Sequence, residues 1–205
     1  MIIGTVFTGQ IKSQNGQYIE TKAFCFILPI YRTNTLLVTG LEGSGRKGIE
    51  IKPNKMSLIA SYIRLIVTIP AVFAIIAGLN NINNSEWQWL MIPALILLCL
   101  SIYFWLFFGK STKKETFIRY HFHKKTKLYV LPEWLKYKDL KLFYNNLKNE
   151  YKTIQNDELW AEKLIGLPTY DTNFSLYFCL TALDAELNKT LKSKKVISEI
   201  LEKEK

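Results

Sequence analysis

Hydrophobic residues follow three successive patterns along the chain. Up to about residue 55, short apolar runs (AFCFILPIY at 23–31, LLVTG at 36–40) are set in polar, turn-rich text such as GQIKSQNGQYIETK. That pattern predicts short strands forming a small antiparallel sheet or ribbon, with Asn15-Gly16 as a two-residue hairpin turn. Pro29 would interrupt a central strand, so its segment is expected at an edge or against a membrane surface. From Leu65 to Gly109 the text is almost wholly apolar. Leu65–Leu79 reads LIVTIPAVFAIIAGL, and Trp89–Phe108 is twenty residues without a charge. At a rise of about 1.5 Å per residue the latter matches the roughly 30 Å apolar thickness of a bilayer. With the polar LNNINNSEWQ between them, these segments predict a two-helix transmembrane hairpin, with spans at about 62–82 and 88–109. Pro70 and Pro93 are expected near the start of their helices, where a missing N–H costs least.

The third pattern is helical. Leu140, Phe143, Tyr144, Leu147, Tyr151 and Ile154 recur at three and four residues behind a Pro132-Glu133 start, a second helix is expected from Asp157 to Gly166, and a third opens after Asp171-Thr172-Asn173. The stripe Leu176, Leu180, Leu183, Leu187 and Leu191 has two readings: the core of this small helical domain, or a surface for another chain or a second copy. Aromatic residues around it favour keeping the second, and Phe174, Tyr177, Phe178, Leu180, Leu183 and Leu187 are the candidate partner-binding residues. Between the second apolar segment and these helices, Ile118, Tyr120 and Phe122 alternate with Arg119, His121 and His123. Alternation favours a strand turned back by Lys124 to Lys127; a helix continuing the second span is the competing reading.

The fold class so predicted is an α+β membrane protein: a cytoplasmic β-rich segment at 1–55, a transmembrane hairpin at 56–109 and a cytoplasmic, mainly helical domain at 110–205. Charge supports the division. The chain has 27 Lys and Arg against 17 Asp and Glu, a formal net charge of +10, yet only Glu86 lies between Leu65 and Gly109. Arg46, Lys47, Lys52, Lys55 and Arg64 precede the first apolar segment, Lys110, Lys113, Lys114 and Arg119 follow the second, and the turn has no base. An excess of bases on cytoplasmic flanks puts both termini in the cytoplasm, at an inner membrane. Arg64, Lys110, Lys113 and Lys114 are the candidate contacts to the headgroups of an anionic inner leaflet, Arg64 extending its guanidinium from the edge of the apolar core. The positive charge is thereby an orientation signal, and no nucleic-acid partner is expected.

Little else carries chemistry. Cys25, Cys99 and Cys179 are widely spaced and odd in number, which implies a reducing environment. Gly43-Ser44-Gly45-Arg46-Lys47-Gly48 matches G-x-G-x-x-G in letters, but the strand-like run after it makes a hairpin loop the better reading. His121 and His123 lack two further ligands for zinc and are expected to be exposed polar residues beside the membrane. Asp157-Glu158 and Asp184-x-Glu186 read as a helix cap and a solvated face. No catalytic residue, metal or cofactor is expected.

The segment Glu20 to Tyr31, with Thr21-Lys22 followed by Phe24, Phe26 and Pro29, resembles one near the start of small two-span bacterial membrane proteins; some of those carry a zinc ribbon whose paired cysteines are missing here. The resemblance implies a membrane family and transfers no activity. Taken together, these features predict a non-enzymatic integral membrane protein that anchors, or binds a protein partner or itself, on the cytoplasmic face. An oligomeric pore or transporter subunit is the alternative, with Thr68 and Ser101 its only polar stripe, and a membrane-bound enzyme comes third.

Overall fold

A computed structural model describes residues 3–26, 28–43, 45–80, 85–155 and 157–203, with side chains described except at 3–4, 25–26, 28–32 and 85–90. Four strands come first: β1 (Ile3–Gln14), β2 (Gln17–Phe26), β3 (Leu28–Glu42) and β4 (Gly45–Ile51). They form one antiparallel sheet in the order β1-β2-β3-β4. Asn15 (φ 47°) and Gly16 (φ 80°) turn β1 into β2, both in the left-handed conformation that a tight hairpin demands. The apolar run 23–31 is not one strand: its first part ends β2, and Pro29 occupies the second position of β3, at a strand start where a missing donor is tolerated. The side chains of Pro29 and its neighbours, and residues 27 and 44, lie outside the described residues.

Seven α-helices follow: α1 (Lys55–Asn80), α2 (Ser85–Leu106), α3 (Lys113–Thr126), α4 (Tyr137–Ile154), α5 (Trp160–Gly166), α6 (Phe174–Leu187) and α7 (Leu191–Lys203), with a 3-10 turn at Pro132–Trp134. The expected fold class, a two-helix transmembrane hairpin carrying two cytoplasmic appendages, is corrected by this arrangement. Among the described residues one helix, α1, is long and apolar enough to cross a membrane. Within α2, Met91–Leu106 is a shorter apolar stretch among the described residues. Among the described residues the architecture is α+β, a four-stranded antiparallel sheet with seven helices. Pro70 is also placed differently from expectation. Because α1 begins at Lys55, this proline falls past the middle of the helix and leaves the carbonyl of Ile66 without its usual N–H donor.

The chain divides into two compact units that do not follow its linear order. One comprises residues 1–13, 18–36 and 53–110; the other comprises 14–17, 37–52 and 111–205. In the first, β1 lies against α1. Gly9 (φ 71°) permits this approach: a Cβ there would sit 1.8 Å from the backbone oxygen of Ser57. The Ser57 hydroxyl donates to the Gly9 carbonyl at 2.6 Å, and Thr8 donates to the Ser61 hydroxyl at 2.9 Å. Ile11, Ile19 and Ala23 are the buried apolar residues of β1 and β2 in this unit.

The second unit is organised round α6. Every residue from Phe174 to Leu183 is buried, and α3, α4, α5 and α7 all pack on this helix. A helix apolar on all sides belongs in an interior. Its neighbours are amphipathic: α4 buries Leu140, Leu147 and Tyr151, and α7 buries Val196 and Ile200. The end of β4 joins the same unit. Lys52 N donates to Trp134 O at 2.7 Å, and Glu50 pairs with Lys136 at 2.7 Å.

Candidate functional site

Along its buried side α1 presents Ser57, Ala60, Ser61, Arg64, Ala71 and Gly78, one long charged chain among small residues. The expectation that Arg64 reaches lipid headgroups is corrected here, for the side chain is 7% exposed. Its guanidinium donates to the carbonyls of Gln10 (2.8 Å), Phe104 (3.1 Å) and Phe108 (3.3 Å), and lies 5.1 Å from the Trp105 ring centroid. The reason is local. The last carbonyls of α2 have no intrahelical donor, and the planar fork of arginine can serve several acceptors at once. Lys110 stands nearby in sequence at the close of the same segment. Its ammonium lies 4.3 Å over the Phe107 ring, and its carbonyl accepts from the Lys12 ammonium at 3.3 Å.

Away from this buried side the distribution of size is inverted. Ala71, Ala94 and Ser101 are buried, whereas Ile66 (63% exposed), Phe73 (69%) and Trp105 (58%) stand outward with Ile76, Ile96 and Leu106. Close packing of two helices through small residues, with large apolar side chains outside, is the arrangement of helices whose surroundings are themselves apolar. Thr68 and Ser101 do not line a path: their hydroxyls bond each other at 2.6 Å, and Trp105 donates to Thr68 at 3.3 Å. The side chains of Glu86, Trp87 and Trp89, and residues 81–84 of the polar turn, lie outside the described residues.

Lys113 and Lys114 begin α3, both exposed. Residues 113–126 are a helix rather than the favoured strand, and not a continuation of α2, because Thr112 starts it afresh. The Thr112 hydroxyl accepts from Glu115 N while the Glu115 carboxylate accepts from Thr112 N, a capping box that outweighs the alternating pattern after it. As a result Arg119, His121 and Phe122 are buried. His121, expected to be exposed, hydrogen bonds through Nδ1 to Ser175 Oγ at 2.9 Å among the rings of Phe117, Phe174 and Phe178. Burial, then the charge of Lys124, pushes its pKa down to about 4. His123 stacks on Tyr129 with centroids 4.0 Å apart, so the two histidines share no ligand position.

Arg119, read in the sequence only as an orientation charge, is fully buried. It donates to Tyr129 O (2.8 Å) and Ser111 Oγ (2.7 Å) and lies 5.3 Å from the Trp134 ring centroid. Burial lowers its pKa to about 10. Its only hint in the sequence was the apolar company of Ile118 and Phe122.

The candidate partner-binding set is placed in the interior. Phe174, Tyr177, Phe178, Leu180 and Leu183 are at most 4% exposed, and Leu187 is half-buried at the end of α6. A partner surface on this stripe is corrected accordingly, since its side chains are already packed against α3, α4, α5 and α7. One polar cluster was not anticipated. Asp157 accepts from the Tyr151 hydroxyl and from Lys163 (2.6 Å), and Lys163 also reaches Gln155 at 2.8 Å. Bonds from Lys163 and Tyr151 pull the Asp157 carboxyl down to about 2, while burial raises the Tyr151 hydroxyl to about 12. This cluster ties the end of α4 to the start of α5. Among the described residues no three His, Cys, Asp or Glu side chains meet as a metal-holding group. Comparison with protein-family models, curated proteins and solved structures finds no match to this chain.

Proposed function

We propose that the protein is a non-enzymatic, membrane-associated anchor that meets lipid through the apolar exterior of α1. The observation that carries this reading is the inverted packing of α1 and α2: Ala71, Ala94 and Ser101 inside, with Ile66, Phe73, Ile76, Ile96, Trp105 and Leu106 outside. In water so many exposed large apolar side chains would be costly, at about 25 cal/mol per Å² of apolar surface, whereas in lipid they cost nothing.

Membrane fractionation followed by alkaline carbonate washing tests the proposal. The full chain is expected to stay with the membrane pellet and to float with lipid vesicles on a density gradient. Recovery in the washed supernatant, or failure to float, overturns it.

A further inference from the structure

Helix α3 packs on α6 along a seam flanked by two openings. On one side a groove of about 390 Å³, lined by its Lys114, Glu115 and Ile118, lies between it and α7. On the other an open pocket of about 430 Å³ lies over Lys113, Thr116, Phe117 and Tyr120. His121 crosses the seam. Its Nδ1 meets Ser175 Oγ at 2.9 Å, its backbone oxygen accepts from the Cys179 thiol at 3.5 Å, and the rings of Phe117, Phe174 and Phe178 pack around it. The other links of α3 lie off this seam. Arg119 bonds Tyr129 O and Ser111 Oγ, both in the segments that adjoin the helix, so these bonds can travel with it. The ion pair of Lys125 with Glu150 on α4 (2.6 Å) and the bond from Gln14 to Thr116 O (3.3 Å) are solvent-exposed, and such surface contacts hold weakly.

A charged imidazole is poorly served in this seam. Both of its ring N–H groups would donate, and the hydroxyl of Ser175 can take only one. α6 faces it with Ser175 and with the Cys179 thiol, whose pKa burial pushes up, so neither supplies a negative charge. On α3 itself its titratable neighbours are Tyr120, with ring centroids 5.3 Å apart, and Lys124, whose charge opposes a second one. From α4, Glu150 is already engaged by Lys125. Among the described residues no carboxylate pairs with His121. An unpaired charge is costly to bury, so a proton on His121 works against closure of the seam.

We propose that protonation of His121 releases α3 from α6, an acid-driven opening that uncovers the rings of Phe174 and Phe178 while α4, α5 and α7 stay packed on α6. The inference does not depend on how α1 meets lipid, because every group in it lies in the helical unit. Cys179, fully buried on the seam, reports the opening. In a Cys25→Ser/Cys99→Ser chain in micelles, the rate at which a pyridyl disulfide labels Cys179, divided by the rate for the urea-unfolded chain at the same pH, measures the open fraction. With imidazole pKa values of 6.5 in the open state and about 4 in the closed one, that fraction should rise about twentyfold between pH 7 and pH 5. His121→Gln keeps a side chain able to bond Ser175 but takes up no proton, so its open fraction should change by less than about twofold over the same range. A second reporter, Leu164→Cys with Cys179→Ala, places a thiol at a buried position of α5, which also packs on α6. At pH 5 it should label about tenfold more slowly than Cys179. Equal rates for the two thiols mean that the unit unfolds as a whole, and Cys179 labelling that is flat with pH, or that rises as much in His121→Gln, removes His121 as the trigger. Each of these results overturns the proposal, and the first two are read with His121 in place, so they decide it even if His121→Gln fails to fold.

Discussion

Four polar side chains, three of them buried, show how individual residues set the conditions under which this fold holds. His121 is 2% exposed and neutral in the folded chain, its pKa pushed from 6.5 to about 4, first by burial and then by Lys124. In the unfolded chain the same imidazole protonates near 6.5. The unfolded state therefore binds more protons below that pH, and the folded state loses stability as pH falls from about 6.5 to about 4. A shift of that size corresponds to a loss on the order of 3 kcal/mol. Thermal melts of the wild type across this window should drop, and those of His121→Gln should drop much less. A wild-type melting temperature flat from pH 7 to 4.5 would contradict the assignment. The Asp157 carboxyl, lowered from 3.8 to about 2, acts in a separate window: its contribution is present above 3.8 and is lost as pH falls towards 2. Arg64 and Arg119 each anchor a guanidinium on backbone oxygen, Arg64 on three carbonyls and Arg119 on the Tyr129 carbonyl beside the Ser111 hydroxyl. Lysine offers no planar fork, so Arg64→Lys is expected to leave carbonyls at the end of α2 without donors. A cost of about 1–3 kcal/mol per orphaned group should be visible as a lower melting temperature in detergent.

Among elements, the β1–α1 contact makes the sharpest demand on sequence. At Gly9 a methyl group would meet Ser57 O at 1.8 Å, backbone against backbone, with φ in the left-handed region as well. Gly16 also has positive φ, yet a Cβ there meets nothing within 4 Å. Gly16→Ala should cost about 1–2 kcal/mol, the left-handed penalty alone, whereas Gly9→Ala should cost 3 kcal/mol or more, by adding displacement of α1. Equal effects of the two substitutions on denaturant midpoints would remove the close-approach account. The hairpin at Asn15-Gly16 and the amphipathic face of α4 were legible in the sequence because turn chemistry and helical period are local signals. The α3 segment was not. Alternation of Ile118, Tyr120 and Phe122 suggested a strand, while the deciding signal was Thr112 with Glu115 three residues on, just ahead of the alternating run. For α6 the core reading of the leucine stripe holds, but only one face was legible: burial on every side depends on α3, α4, α5 and α7 arriving from distant parts of the chain. The Arg64 clasp was hidden for the same reason, since its acceptors are backbone atoms 40 to 54 residues away.

For the whole molecule, two kinds of apolar surface obey opposite rules, and substitutions can tell them apart. In the helical unit large residues are inside, so Leu180→Ala opens a cavity in α6 and should cost about 2–5 kcal/mol of unfolding free energy while leaving partition into vesicles unchanged. On α1 and α2 large residues are outside, and the exchange should run the other way. Phe73 is 69% exposed and makes little of the packed interior. If water surrounded it, Phe73→Asp would be neutral or would raise solubility. With lipid around it, an aspartate near the middle of a helix costs about 2.5–3.5 kcal/mol. That corresponds to a vesicle partition coefficient roughly a hundredfold lower, at 1.4 kcal/mol per decade. Flotation measured over a range of lipid concentrations gives the coefficient directly, and far-ultraviolet circular dichroism in micelles verifies that the variant is folded. A Phe73→Asp chain that floats as well as the wild type would place α1 in some surrounding other than lipid, whereas a hundredfold loss beside an unaffected Leu180→Ala assigns the apolar exterior of the helix pair to the bilayer.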